Sequence, residues 1–151
     1  MTWRLTILLA FALLAVPSQG SFVGGSQALA QSPATPSAWC TFDGESVWRD
    51  RGADQNELGR ITIELRCLDG VVTGVRVLAE TRCGRTLCTW NWSEEARAEE
   101  SAIAAIFATF SATRLMRIQL AGDRINVEVE NDYNQAGRAS DQMRASLVLD
   151  N

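Results

Sequence analysis

Between Arg60 and Cys67 apolar and polar residues alternate without a break, with Ile61, Ile63, Leu65 and Cys67 on one side and Arg60, Thr62, Glu64 and Arg66 on the other. A period of two sustained over that length predicts a strand with one face in a core. Val75, Val77, Ala79 and Cys83 repeat the pattern against Arg76, Glu80 and Arg82. The intervening Leu68-Asp69-Gly70 sets the register: a two-residue Asp-Gly turn puts Ile63 opposite Arg76, whereas a three-residue loop puts Ile63 opposite Val75 and Ile61 opposite Val77. Matching the apolar faces selects the three-residue loop, with Gly70 in the left-handed position of a G1 bulge. Further on, a two-residue Gly122-Asp123 turn sets Ile118 opposite Val127 and Leu120 opposite Ile125, leaving Arg117, Gln119, Asn126 and Glu128 outside. The last strand carries Met143, Ala145, Leu147 and Leu149 on its inner face.

The four cysteines allow three pairings, and strand register chooses among them. Cys83 with Cys88 closes a hairpin over Gly84 to Leu87 and sets Thr81 opposite Trp90 and Ala79 opposite Trp92, so both tryptophans point inward with the disulfide. A first strand from about Trp39 to Arg49, with Cys40, Phe42, Ser46 and Trp48 on one face, sets Cys40 opposite Cys67 and Trp48 opposite Gly59. Ser93 followed by Glu94, Glu95, Ala96 and Ala98 predicts a short helical or irregular connection to about Ser101. A strand carrying Ile103, Ala105 and Phe107 inward follows it.

The result is an all-β chain of eight strands with short connections and one apolar face. An eight-stranded antiparallel up-and-down barrel, a calycin-like meander, satisfies the pattern and removes the sheet edges. A two-sheet β-sandwich is the fallback. The charged outer face is unlike that of an outer-membrane barrel.

The ends change the picture of where this domain works. Arg4, the apolar run Leu5 to Val16 and the small residues ending Ala28-Leu29-Ala30 read as a cleaved signal peptide over residues 1–30, with cleavage after Gly20 the other option. Residues 31–38 then form a disordered N-terminal linker, and 39–150 a single domain long enough for a real core. The apolar run is too short to span a bilayer comfortably, and no cysteine follows it closely enough to be lipidated. A periplasmic or secreted product is expected, with no membrane insertion after signal cleavage and two disulfides formed in an oxidising compartment. Loss of Arg4 leaves 13 arginines against 18 acids, a net charge of −5, which argues against nucleic acid as a partner. The chain has no histidine, which removes Ser-His-Asp and Cys-His nucleophile systems, imidazole acid/base work and His-ligated zinc.

The strings Trp48-Arg49-Asp50, Arg60-Ile61-Thr62 and Cys83-Gly84-Arg85-Thr86-Leu87-Cys88-Thr89-Trp90, with Gly137-Arg138 in the final loop, resemble a family of small exported bacterial β domains marked by C-x4-C-x-W. The resemblance runs from Gly44 to Leu149. Such domains often carry proline inside the cysteine loop and glycine after the tryptophan, where this chain has Arg85-Thr86 and Asn91. The family has no assigned activity, so the resemblance implies a fold and leaves function open.

In a meander, alternate connections share an end. The Asp50 to Leu58 loop, the cysteine hairpin tip, the Ser111 to Thr113 turn and the Asn134 to Ser140 loop form one such end, expected to be the open mouth. Inward Trp48, Trp90 and Tyr133 and the loop residues Arg85, Arg138 and Asp50 surround it. Aromatic walls with a few cationic groups suit a small organic or sugar-like ligand, or an inserted loop of a protein partner. The competing structural reading is that these aromatics fill a narrow interior and pack on the disulfide. Asp50, Asp54, Asn56 and Glu57 lack the spacing of a calcium loop, and no metal or cofactor is expected. Strand parity puts Glu64, Glu80, Glu128 and Glu130 outside, which leaves no facing carboxylate pair for hydrolysis. The expected function is therefore a non-enzymatic binding domain that uses the loop end; an inhibitor or partner-binding protein that uses the hairpin tip is the alternative.

Overall fold

A computed structural model describes residues 36–150, and residues 1–35, with the expected signal peptide, lie outside the described part. Alternation builds nine antiparallel strands: β1 (Gly44–Arg49), β2 (Leu58–Leu68), β3 (Val71–Cys83), β4 (Thr86–Trp92), β5 (Glu95–Ala98), β6 (Ala102–Ala108), β7 (Ala112–Ala121), β8 (Arg124–Tyr133) and β9 (Asp141–Leu149). They form one curled sheet in the order β4-β3-β2-β1-β9-β8-β7-β6-β5, a barrel-like up-and-down meander and not a two-sheet sandwich. Ile61, Ile63, Val77, Ile103, Phe107, Ile118, Ile125 and Leu147 are buried on its concave side. A core of this kind, non-directional and roughly proportional to the area it removes from water, is the main favourable term.

The ninth strand corrects the helical expectation. Glu95–Ala98 pairs with Ile103–Ile106, with Glu95 and Arg97 exposed and Ala96 and Ala98 packed against the core. Ser93 does not cap a helix. Its N–H donates to the Val77 carbonyl at 2.7 Å, its Oγ accepts from the Val77 N–H at 3.1 Å, and the next N–H, that of Glu94, donates to the Ile106 carbonyl at 2.9 Å. The chain thus passes from β3 to β6 at one point, and the ladder bonds gained there outweigh the local helix propensity.

Three registers also differ from the sequence reading. The β2–β3 turn has two residues, Asp69 and Gly70, both at positive φ (51° and 77°), as a type I′ turn requires. Leu68 then faces Val71, and a bulge at Thr73 shifts the ladder so that Ile63 faces Val77 and Ile61 faces Ala79. The β3–β4 turn likewise holds two residues, with Cys83 opposite Thr86 and Thr81 opposite Cys88. A second bulge, with Asn91 at φ 69°, then sets Trp92 opposite Leu78. Trp90 is buried, but Trp92 is not inward: it is half-buried beneath the guanidinium of Arg76, 4.3 Å from its ring centroid. The Cys83–Cys88 bridge keeps the inner parity of Thr81 and Trp90, but it sits at the rim, where Cys88 is exposed. Asparagine is among the few residues other than glycine that tolerate this conformation.

The Cys40–Cys67 bridge forms, but not between paired strands. Ala38–Phe42 is a 3-10 turn started by Ser37, whose Oγ accepts from the Trp39 N–H at 3.3 Å, and Trp48 faces Ile61, not Gly59. Residues before Trp39 also pack on the domain: the Ser37 N–H donates to the Gly70 carbonyl at 2.9 Å, and Pro36 lies against Gly70. Trp39 is fully buried, its ring centroid 6.4 Å from that of Phe42, which lies 5.2 Å from that of Trp48.

Candidate functional site

On β7, Ala112, Arg114, Met116 and Ile118 share the inner parity. On β8 the inner residues are Val127, Val129, Asn131 and Tyr133, and on β9 they are Asp141, Met143, Ala145 and Leu147. Near the β6–β7 turn and the β8–β9 loop this apolar stack gives way to polar side chains. One cross-strand row there reads Phe107, Arg114, Asn131, Asp141. The pleat therefore aims a cation, an amide and a carboxylate inward at the loop end.

These groups form a defined arrangement. Asn131, only 5% exposed, donates from Nδ2 to Asp141 Oδ1 at 2.6 Å, and the Tyr133 hydroxyl donates to Asp141 Oδ2 at 2.8 Å. Those two bonds, with Arg138 and Arg114 as weaker contributors, hold the Asp141 carboxyl below the usual carboxylate range. The Tyr133 hydroxyl is pushed up because ionisation would break its bond to that carboxylate. Arg138 stacks on the other side of this pair, its Cζ 3.4 Å from the Tyr133 ring centroid. Arg114 lies 4.6 Å over the Trp90 ring and donates from Nη1 to Thr109 Oγ1 at 3.2 Å. Burial lowers its pKa, with Tyr133 and Asp141 acting in the opposite sense, and the guanidinium stays a cation. Among the described residues no carboxylate lies within ion-pairing distance of Arg114, nor of Arg66, Arg82, Arg85, Arg124 or Arg138, whereas Arg49, Arg51, Arg60, Arg76, Arg97, Arg117 and Arg144 are paired; of the unpaired ones, Arg114 is the one on the inner face of the loop end.

The rim above this row is ordered. Asn134 Nδ2 donates to the Phe110 carbonyl at 3.1 Å, and its backbone N–H donates to the Ser111 carbonyl at 3.0 Å. The turn so held presents Phe110 fully exposed.

Of the residues expected at the mouth, Trp90, Tyr133 and Arg138 belong to this cluster. Trp48 does not: it is fully buried against Phe42, and its indole N–H donates to Ser46 Oγ at 3.0 Å. Arg85 is exposed at the hairpin tip, apart from these contacts. Trp90 is only 7% exposed, so the interior is filled at both tryptophans and a ligand must sit at the rim rather than deep inside. Sequence reasoning missed Arg114, Asn131 and Asp141, although each has the parity of an inward apolar neighbour: Met116, Val129 and Met143. In the Asp50–Glu57 loop, Asp50 accepts from the Gly52 N–H at 2.9 Å and Glu57 from the Asp54 N–H at 2.8 Å, so these acids shape the loop itself.

A groove of about 390 Å³ lies across β5–β9. Its polar lining, with Arg97, Arg117, Glu130 and Arg144, has outward parity, and the inner-parity row Ala96, Ala105, Met116, Val129 and Met143 borders it between those strands. Its arginines are already paired, Arg97 and Arg117 with Glu99 (3.4 and 2.9 Å) and Arg144 with Glu128 (3.0 Å), which leaves the inward cluster as the better anion site.

No protein-family model, curated protein or solved structure matches this chain. The resemblance to C-x4-C-x-W domains rests on the quoted residues alone.

The linkage of Asp141 makes a prediction about pH. Its depressed pKa contributes stability that is present above about pH 4 and is lost as pH falls through the folded-state value. Asp141→Asn removes that contribution. In urea unfolding the variant is expected to be less stable than the parent near neutral pH, with the difference shrinking below about pH 4.

Proposed function

We propose that this is an exported, non-enzymatic binding domain whose loop end takes the carboxylate of a small, sugar-like molecule, with Arg114 as the anchor. One observation carries the reading: an inward, half-buried guanidinium that rests on a tryptophan and has no acid partner among the described residues. A guanidinium partly withdrawn from water gains from a hydrogen-bonded anion, and an incoming carboxylate would supply one. Around Arg114 the rim presents Arg138 stacked on Tyr133 and the exposed carboxylate of Asp141, polar groups suited to a hydroxyl-bearing ligand. The acids do not favour catalysis: Asp141 is held ionised by Asn131 and Tyr133, and among the described residues no second carboxylate acts on it. The two disulfides fit an oxidising compartment, and among the described residues no helix is long and apolar enough to cross a membrane. The signal-like N-terminus supports export to the periplasm or beyond.

Calorimetric titration with glucuronate and galacturonate, beside glucose and galactose, tests the proposal. The acids are expected to bind and the neutral sugars to bind at least tenfold more weakly. Arg114→Gln is expected to remove that preference, since a charged hydrogen bond contributes about 1.5 to 3 kcal/mol. Equal affinity for acid and neutral sugars, no binding of either acid, or an unchanged preference in the variant would overturn it.

A further inference from the structure

The sheet ends in two edges, β4 and β5, and they are built differently. β5 is four residues long and carries Glu95 and Arg97, the charged short edge that discourages pairing with another chain. β4 is seven residues long, Thr86 to Trp92, and carries no charge. It also outruns its neighbour across the seam. β6 ends at Ala108, and the chain from β4 bonds to it through its backbone only at Glu94–Ile106, with Trp90 packed on Phe107, so among the described residues the first residues of β4 have no strand hydrogen-bonded to them on that side.

The hairpin register fixes which groups face that open side. In a two-residue hairpin the residues flanking the turn exchange hydrogen bonds, so Cys83 with Thr86 and Thr81 with Cys88 are the bonded pairs. Leu87 and Thr89 therefore direct their N–H and C=O groups away from β3. Thr86, Cys88 and Thr89 are exposed, and the Cys83–Cys88 bridge holds the strand in place before any partner arrives.

We propose that β4 is a self-association edge, at which two copies pair β4 with β4 antiparallel about a two-fold axis through Cys88. Leu87 of each copy then faces Thr89 of the other, and these two residue pairs exchange four backbone hydrogen bonds. Thr86 faces Trp90, and Arg85 faces Asn91, so no like charges meet across the axis. A two-fold interface must be self-complementary, and an uncharged strand with symmetric donors and acceptors meets that requirement. The pairing leaves the Arg114 cluster on the concave side and does not depend on its ligand.

Sedimentation equilibrium from micromolar to millimolar protein, with amide hydrogen exchange at the same concentrations, tests the proposal. A concentration-dependent dimer is expected, with slowed exchange at the Leu87 and Thr89 amides as it forms. Thr89→Lys, which brings two cations together near the axis, is expected to weaken association tenfold or more. The exchange result on the unaltered protein stands whether or not that variant folds. A monomer up to millimolar concentration, a dimer in which the Leu87 and Thr89 amides exchange at an unchanged rate, or unaltered association of a folded Thr89→Lys would overturn it.

Discussion

Trp90→Ala is expected to cost about 3 to 5 kcal/mol of unfolding free energy, the range for emptying a large aromatic site in a core. Trp90 is nearly buried, meets Phe107 edge-on with centroids 5.6 Å apart, lies beneath Arg114, and donates from its indole N–H to Thr81 Oγ1 at 3.3 Å. No ladder joins β4 to β6, so this side chain is the main link across the seam between those strands at the loop end. Its loss removes the transfer term and leaves a cavity, and it also strips the guanidinium of Arg114 of the ring it rests on. Denaturant unfolding measures the first effect. The second appears in the acid-sugar titration, where Trp90→Ala is expected to weaken binding even under conditions in which the variant is fully folded.

The two disulfides are expected to contribute unequally. Cys40 and Cys67 are 27 residues apart and Cys83 and Cys88 are 5 apart. If a bridge acts chiefly by restricting the unfolded chain, the first contributes about 3 to 4 kcal/mol and the second about 2. Packing points the same way. The Cys40 bridge fastens the 3-10 turn that carries buried Trp39, whereas Cys88 is exposed on a hairpin already held by its turn. Replacing Cys40 and Cys67 together by alanine should therefore lower the urea midpoint well below that of the Cys83/Cys88 double alanine variant. Equal losses, or a larger loss for the hairpin pair, would show that the native-state packing around Trp39 and the chain-entropy argument are both misjudged.

How far the sequence carries the fold follows from what alternation can and cannot encode. Which side chains face the core is a question of parity, and the inner residues of β2, β3, β6, β7, β8 and β9 were legible for that reason. Register is legible only up to a slip of two residues, because such a slip leaves every side chain on its own face. The β1–β2 pairing shows it: Trp48 faces Ile61 rather than Gly59, and no face changes. The β2–β3 ladder reaches the correct parity through a two-residue turn and a bulge at Thr73, not through a longer loop. Bulges add single residues that no periodicity announces, and the one at Asn91 is what turns Trp92 outward. At Ser93–Ala98 the local sequence favours a helix, and only the bonds to Val77 and Ile106 decide against it.

The candidate site divides in the same way. That Arg114, Asn131 and Asp141 face inward is written in their spacing from Met116, Val129 and Met143. That Arg114 is left without an acid is not, because it depends on Asp141 being taken by Asn131 and Tyr133 across two strands. Trp48 has the right parity for the mouth, yet the Phe42 ring against it comes from a 3-10 turn that alternation does not foresee.

The central claim is that Arg114 is the anion anchor, and its own side chain reports on it. In a ¹⁵N-labelled sample the Arg114 Nε–H resonance, followed while glucuronate is added, is expected to shift and saturate together with the Trp90 indole N–H, and glucose is expected to move neither. An Arg114 resonance that stays fixed while Arg97 and Arg117 in the outer groove respond, or that responds equally to glucose, would contradict the account.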